Sequence, residues 1–303
     1  MKRAGFISKA VAGVVCAAVC GSAMADELTL TGMVRDFKRG DWGSGHADFE
    51  TAGSKGYFGH VTGLVSMGLT EDGKPVYASD RPSMDTITSA ESLSQWFRNI
   101  PGINAGMPLM LTLDNGQDEP GGVYSYSSNA FFPIDHKLFG NQGLNHNYHF
   151  TFELRTEFTY APGQYFTFIG DDDVWVYING VKVIDLGGVH PAVSGSVLLF
   201  DGKAFVEKED FALEGVVQRV GSSMASALAT KWQAAGLPGS CPISQGDRYI
   251  DLGLSVDPET GLGTHCRLNF FFAERHTTQS NFRIDTSISL ETAGMDNVSP
   301  LYD

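Results

Sequence analysis

Alternating apolar and polar positions mark strands along much of the chain, and the clearest pair lies between Gly170 and His190. This segment reads GDDDVWVYINGVKVIDLGGVH. Val174, Val176 and Ile178 occupy every second position, which is the period of a strand with two different faces. Asn179-Gly180 supplies residues that accept positive φ in a two-residue turn. The pattern predicts a β-hairpin whose entrance carries three consecutive acids.

The remaining pattern predicts a mainly β fold of many short strands and tight turns, with short helical insertions. Residues 56–80 form a predicted hairpin with its turn at 71–74. A capping box at Thr88–Glu91 predicts a helix over 91–100, with Trp96 on its core-facing side. Helical character returns at about 206–236, and we expect an insertion there that covers one edge of the fold.

Residues 1–25 have the pattern of a secretory signal peptide. Lys2, Arg3 and Lys9 precede the short apolar run AVAGVVCAAVCGSA, and Ala23-Met24-Ala25 forms a cleavage site. We therefore expect an exported protein, secreted or periplasmic or held at the cell surface, whose residues 26–303 form a single domain. No later apolar run reaches the roughly 18 to 20 residues that a membrane helix needs, so no membrane span is predicted.

The net charge of the chain restricts the classes of partner that it can bind. The formal net charge is −14, and removal of the signal leaves 18 basic residues against 35 acidic ones, a net charge of −17. Binding to a nucleic-acid phosphate backbone requires basic patches, so no nucleic-acid partner is predicted. The acidity suits an exported protein in a medium that contains divalent cations, and it equally serves to keep the surface soluble.

Two cysteines, Cys241 and Cys266, remain after the signal is removed. In an exported chain, two cysteines most simply form one disulfide. Such a bond would close a loop of about 25 residues, which the chain-entropy relation values at roughly 3 kcal/mol. A two-cysteine metal site is the alternative, with only His265 beside it.

The acids Asp171, Asp172 and Asp173 are the main candidates for chemistry. Adjacent carboxylates repel one another and raise each other's pKa, and a hard cation with oxygen ligands, above all Ca²⁺, would relieve that repulsion. The alternative is that these acids are solvated, or that they cap turns through backbone N–H groups.

The same stretch resembles the core motif of the PA14 superfamily, and most closely its bacterial fibro-slime branch. The motif has a small residue, Asp-Asp, a spacer, and a hydrophobic strand that ends in Asp-Gly or Asn-Gly, and residues 170–180 match it in register. The resemblance implies a PA14-like fold, an antiparallel β-sandwich or barrel, in which Asp171 and Asp172 hold Ca²⁺ that contacts sugar hydroxyls. Asp173 stands where many PA14 domains have glycine, so it is a further candidate ligand on weaker grounds.

Other motifs extend the resemblance over roughly residues 28–293. They are RDF, DFE, FFPID, DLGGVH and ERHTTQSNF, in that order. In PA14 folds the last strands run beside the Asp-Asp motif, so Asn281 and the backbone of 277–280 are candidate ligands. The predicted sugar contacts are Trp175, Tyr177 and His190. Glu274 and Arg275 are expected to pair with each other inside the fold.

Three functions compete. The resemblance implies a carbohydrate-binding or adhesion module at a cell surface or extracellular matrix. The alternatives are a matrix assembly protein in which Ca²⁺ only rigidifies the loop, and a glycoside hydrolase, which needs two carboxylates about 5 to 10 Å apart. No G-x-S-x-G or H-E-x-x-H motif is present, and the polar residues between Arg35 and Glu50 fit an internal network better than acid–base machinery. No enzymatic activity and no catalytic residue are predicted.

Overall fold

The architecture is that of a computed structural model, which describes residues 27–50, 59–78, 86–116, 122–206 and 217–291. The described chain is mainly β, with strands that pair antiparallel, as the sequence predicts. The predicted signal peptide lies outside the described residues. The strands are β1 (Glu27–Phe37), β2 (Val65–Leu69), β3 (Pro75–Tyr77), β4 (Asn104–Asp114), β5 (Tyr124–Ser128), β6 (Phe150–Thr159), β7 (Gln164–Gly170), β8 (Asp173–Ile178), β9 (Val181–Leu186), β10 (Val193–Phe200), β11 (Lys203–Val206), β12 (Gln218–Arg219), β13 (Arg248–Asp251), β14 (His265–Glu274) and β15 (Phe282–Thr286). The α-helices are α1 (Ala90–Ser94) and α2 (Ser222–Ala234), and a short 3-10 helix spans Gly40–Trp42.

Thirteen strands form one sheet, and β2 and β3 form a separate hairpin. The order of the large sheet is β12-β13-β11-β10-β7-β15-β5-β4-β1-β6-β14-β8-β9. The sheet curls so that β9 packs against β10: a Cβ added to Gly195 would lie 2.7 Å from Cγ2 of Ile184. Glycine is therefore needed at this close approach of the two ends of the sheet.

The main core lies inside this curl and is rich in phenylalanine. Phe131 stacks on Phe282 with ring centroids 4.2 Å apart, and Phe272 contacts both rings. Burial of aromatic side chains of this size is among the largest contributions to a β core. The core therefore joins strands that are distant in sequence, and it fixes where β8 and β14 lie.

A second apolar cluster covers the opposite face of β8 and β14. The ring centroids of Trp175 and Trp96 are 6.0 Å apart, and Phe97 packs edge-on against Phe271 with ring centroids 4.9 Å apart. Trp96 is fully buried, as its position on the predicted helix indicates. Since apolar side chains cover both faces of β8, every residue of this strand is buried, and the acids at its entrance border a largely dehydrated region.

Two predicted hairpins are present, while the predicted helix differs in detail. Asn179 and Gly180 have φ of 50° and 78° and join β8 to β9, and β2 and β3 flank the turn at 71–74. The helix cap is formed by Ser89 and Ser92 instead of Thr88 and Glu91. Helix α1 ends at Ser94, because the chain turns there to bring Trp96 and Phe97 onto β8 and β14.

Helix α2 lies within the region expected to hold a helical insertion. Trp232 on this helix packs edge-on against Phe200 at 5.1 Å, and Leu228 is buried beside it. This third cluster attaches the segment to the sheet end formed by β11, β12 and β13. Residues 207–216 of the predicted insertion lie outside the described residues.

The predicted disulfide is not formed in the structure, where Cys241 and Cys266 are both free thiols. The physical reason is that they belong to different clusters. Cys241 packs with Trp232 against the third cluster, whereas Cys266 is 1% exposed in the main core on β14. The Cys266 thiol donates to the Thr264 carbonyl at 3.4 Å instead.

Candidate functional site

The acidic loop is set by the close approach of β7 and β15. The backbone N–H of Asp171 donates to the Asn281 carbonyl at 3.2 Å, which extends the pairing of Gly170 with Phe282. A Cβ on Gly170 would lie 2.2 Å from that carbonyl oxygen. Glycine is thus required immediately before the acids. The Asp171-Asp172 peptide bond is cis.

Asn281 reaches the first acid, as the resemblance implies. Its backbone N–H donates to Oδ1 of Asp171 at 2.5 Å, and its Nδ2 donates to Oδ2 at 2.8 Å. Asp171 is only 3% exposed. The structure therefore brings together two residues that are 110 positions apart in the sequence, and both have oxygen atoms of the kind that Ca²⁺ prefers.

The second acid is held by backbone donors. Oδ1 of Asp172 accepts from the N–H of His190 at 3.2 Å, and Oδ2 accepts from the N–H of Arg275 at 3.1 Å. Burial raises the pKa of Asp172 well above its usual range, and the negative charges of Asp173 and Asp171 add to this rise, while the positive charge of Arg275 opposes it. Two backbone donors thus hold Asp172 in position. The neighbouring carboxylates carry more negative charge than these donors compensate.

Asp173 has a structural partner, which corrects its assignment as a metal ligand. Its Oδ2 lies 2.6 Å from Nε of Arg275, and its Oδ1 accepts from the N–H of Gly188 at 2.7 Å. Both ionic side chains are fully buried. The Arg275 guanidinium also donates to Thr86 and lies over the Trp96 ring at 4.9 Å. The third acid is therefore used to neutralise a buried arginine.

Glu274 does not pair with Arg275, contrary to expectation. Adjacent strand residues point to opposite faces, so Glu274 lies on the side away from the Asp173–Arg275 pair. Its side chain is fully buried, and neither carboxylate oxygen has a partner in good hydrogen-bond geometry among the described residues. Burial raises the pKa of Glu274 well above its usual range, and the charges of Asp172 and Asp171 raise it further, while the nearby Ser280 hydroxyl and His276 N–H oppose the rise.

Glu50 anchors the loop that precedes Asn281. Oε2 of Glu50 lies 2.8 Å from Nε2 of His149, and Oε1 of Glu50 accepts from the Thr277 hydroxyl at 3.1 Å. Burial tends to raise the pKa of Glu50, but the bonds from His149 and Thr277 and the charge of His276 outweigh it and lower the pKa to about 2. This acid of the DFE motif therefore supports the position of Asn281.

The three residues predicted to contact sugar do not present their side chains to solvent. Trp175 and Tyr177 are fully buried, with Trp175 donating to Asp185 at 3.1 Å and Tyr177 to the Ser66 carbonyl at 3.1 Å. Both pack in the second cluster. His190 is 5% exposed and its Nδ1 lies 2.9 Å from the Pro191 carbonyl. The structure therefore places all three side chains in the interior of the fold.

A more compact set of potential metal ligands lies elsewhere. Among the described residues, Glu157, His265 and Glu291 are the group whose ligand atoms all lie within 4.8 Å of one another. His265 is 57% exposed and pairs with Glu157 at 3.0 Å, while the Arg267 guanidinium lies 3.6 Å from the same carboxylate. A neighbouring guanidinium disfavours a cation, so this is a surface ion-pair network.

The carboxylate oxygens of the acidic loop do not all lie within 4.8 Å of one another, unlike the ligand atoms of that surface group. Asp171, Asp172 and Glu274 would need Asn281 and backbone oxygens to complete the shell of six to eight ligands that Ca²⁺ takes. The donor set is all oxygen and carries excess negative charge, so its chemistry fits Ca²⁺ better than a softer metal.

No helix of the described chain is both long and apolar enough to cross a membrane.

Comparison with known proteins gives relatives that include several proteins of Dictyostelium discoideum. The chain is 33% identical to protein psiQ of Dictyostelium discoideum over 251 residues, which are 78% of this chain and 20% of psiQ. It is 32% identical to psiD over 253 residues, 79% of this chain and 38% of psiD, and 34% identical to psiC over 213 residues, 67% of this chain and 30% of psiC. The chain thus spans about a fifth to two fifths of these relatives.

No protein-family model matches the chain. No solved structure matches it either.

Proposed function

We propose that the protein is an exported carbohydrate-binding module of the PA14 and fibro-slime type, which binds Ca²⁺ at Asp171 and Asp172. The observation that carries the proposal is the buried excess of carboxylate at Asp171, Asp172 and Glu274. Only Asp173 has an arginine partner there. Buried charges are normally paired or coordinate a metal, and neither carboxylate oxygen of Glu274 has a partner in good hydrogen-bond geometry among the described residues.

In this proposal Asp171, Asp172 and Asn281 hold the ion. The carboxylate of Glu274, which is fully buried, neutralises part of the positive charge of the ion. Bound Ca²⁺ supplies open coordination positions for two neighbouring sugar hydroxyls. The backbone donors of His190 and Arg275 orient Asp172, and Glu50 fixes the loop that carries Asn281. Partners are therefore carbohydrates of a cell surface or extracellular matrix.

A second candidate is an extracellular assembly protein in which Ca²⁺ only stiffens the loop. The observation that favours it is the burial of Trp175 and Tyr177, because a sugar face usually stacks on an exposed aromatic ring. The ion site is common to both candidates, and sugar binding separates them.

The test is calorimetric titration of Ca²⁺ into the wild type, Asp171→Asn/Asp172→Asn, and the surface control Glu157→Gln. We expect binding by the wild type and the control, and none by the double variant. Absence of binding by the wild type contradicts the proposal. If Ca²⁺ binds, a glycan array in Ca²⁺ and in EGTA follows: calcium-dependent glycan binding supports the lectin, and a blank array supports the assembly protein.

A further inference from the structure

A large cavity lies away from the acidic loop, between the outer face of β7 and β10 and the segment that carries α2. Its volume is about 1200 Å³. Pockets that bind small ligands usually occupy roughly 300 to 1,000 Å³, so the space accommodates a ligand of several sugar rings. Nothing in the proposed calcium site extends into it.

The floor of the cavity is made of hydroxyl groups. Thr167 on β7 lies directly opposite Ser196 on β10, and their hydroxyl oxygens are 2.9 Å apart. Ser194, two positions away on the same face of β10, is exposed and also lines the cavity. Each hydroxyl both donates and accepts, so this floor suits a ligand that is itself rich in hydroxyls.

Another part of the lining is apolar. Trp232 of α2 and Leu237 contribute to it, although Trp232 is only 6% exposed because it packs in the third cluster. Apolar side chains and hydroxyl groups in one cavity suit a saccharide, whose rings have apolar faces and polar edges.

Two arginines line the same cavity. Arg219 on β12 lies directly opposite Arg248 on β13. Arg248 has an interaction of its own within the protein, but a guanidinium carries five N–H donors and can bind a further anion. Arg219 is exposed and donates to the Gly246 carbonyl at 3.4 Å. The nearby Asp247 carboxylate accepts from the Ser244 N–H at 2.7 Å.

From this juxtaposition we propose that the cavity is a second, calcium-independent binding site for an acidic saccharide. The carboxylate or sulfate group of the saccharide lies between Arg219 and Arg248, because guanidinium groups bind such anions through paired hydrogen bonds. The sugar hydroxyls face Thr167 and Ser196, and the apolar face of a ring lies against Leu237.

The experiment titrates the full-length protein with oligogalacturonate, with dextran sulfate and with neutral dextran, all in EGTA. We expect binding of an acidic polymer and not of neutral dextran, with affinity that falls as salt is added. Arg219→Gln and Arg248→Gln should each weaken binding roughly tenfold, as expected for loss of a charge-assisted contact. Preference between the two acidic polymers identifies carboxylate or sulfate as the recognised group.

The controls separate this site from general charge attraction and from the calcium site. Arg267→Gln, at an exposed position on β14, should retain wild-type affinity, and so should Asp171→Asn/Asp172→Asn. The proposal is overturned if neither acidic polymer binds in EGTA, if Arg267→Gln weakens binding as much as Arg219→Gln, or if the double aspartate variant abolishes it. Failure of Ca²⁺ to bind would leave this outcome unchanged.

Discussion

The Nε of Arg275 lies 2.6 Å from Oδ2 of Asp173, and both side chains are fully buried. Removal of one partner leaves the other charge buried without compensation. We therefore expect Arg275→Met to lower the free energy of unfolding by about 3 to 5 kcal/mol, measured by urea denaturation. Arg283→Gln is the matched control, because the Arg283–Asp285 pair is largely exposed and should contribute less than about 1 kcal/mol.

The double variant Arg275→Met/Asp173→Asn tests whether the loss comes from the uncompensated charge. It should be more stable than Arg275→Met alone, because no unpaired carboxylate remains. Equal stability of the two variants would instead attribute the loss to the contacts of Arg275 with Thr86 and Trp96.

Glu274→Gln tests the excess of buried carboxylate. The amide cannot ionise, so the folded variant does not bear the cost of burying or protonating a carboxylate next to Asp171 and Asp172. In EGTA its free energy of unfolding should therefore exceed that of the wild type by about 1 kcal/mol or more. In Ca²⁺ the order should reverse, since the wild type gains more from the ion. Thermal unfolding in both buffers measures this, with Glu157→Gln as the surface control. A variant that is less stable than the wild type in EGTA would show that the buried carboxylates are not in excess.

Asp36 predicts a pH dependence of stability. Burial raises the pKa of Asp36 to about 7, so the folded state holds its proton at pH values where the unfolded chain has lost it. Stability from this group is present below about pH 4 and is lost as the pH rises to about 7. At about 1.4 kcal/mol per pKa unit, a rise from 3.8 to about 7 corresponds to a loss of about 4 kcal/mol.

The Asp36→Asn variant does not titrate and should therefore lack this loss. Urea denaturation at pH 5 and pH 8 should show the variant gaining stability relative to the wild type as the pH rises. Parallel changes in the two proteins would show that Asp36 does not set the slope.

The two cysteines give a direct chemical test of the structure. With residues 1–25 removed, a thiol reagent should modify Cys241 in the native protein, because this side chain is partly exposed. Cys266, at 1% exposure, should react only after unfolding in guanidinium. Cys241→Ser identifies the fast thiol. Failure of both to react in denaturant without reductant would instead indicate the disulfide that the sequence predicts.

Local pattern was enough to predict the strands and the position of the acidic loop. The alternation of Val174, Val176 and Ile178 and the Asn179-Gly180 turn produce the observed β8–β9 hairpin. Period two does not reveal, however, whether one or both faces of a strand are covered. The residues that bury Trp175 and Tyr177 come from 37–97, so their burial could not be predicted from the hairpin itself.

Pairing across the fold was likewise beyond local pattern. Arg275 reaches Asp173 across 102 positions, and no short-range signal links them. One signal was available in the sequence: Glu274 and Arg275 are adjacent in an extended segment, so their side chains must point to opposite faces. By that rule, Glu274 cannot lie on the face where Arg275 pairs with Asp173.

The two ends of the large sheet affect whether the protein associates with itself at high concentration. An unpaired strand edge is a template for joining other chains. The β9 edge is met by the bridge between Val61 and Gly187. The β12 edge is only two residues long and carries Arg219, and a short charged edge resists further pairing. Growth of the sheet from molecule to molecule is thereby discouraged at both ends.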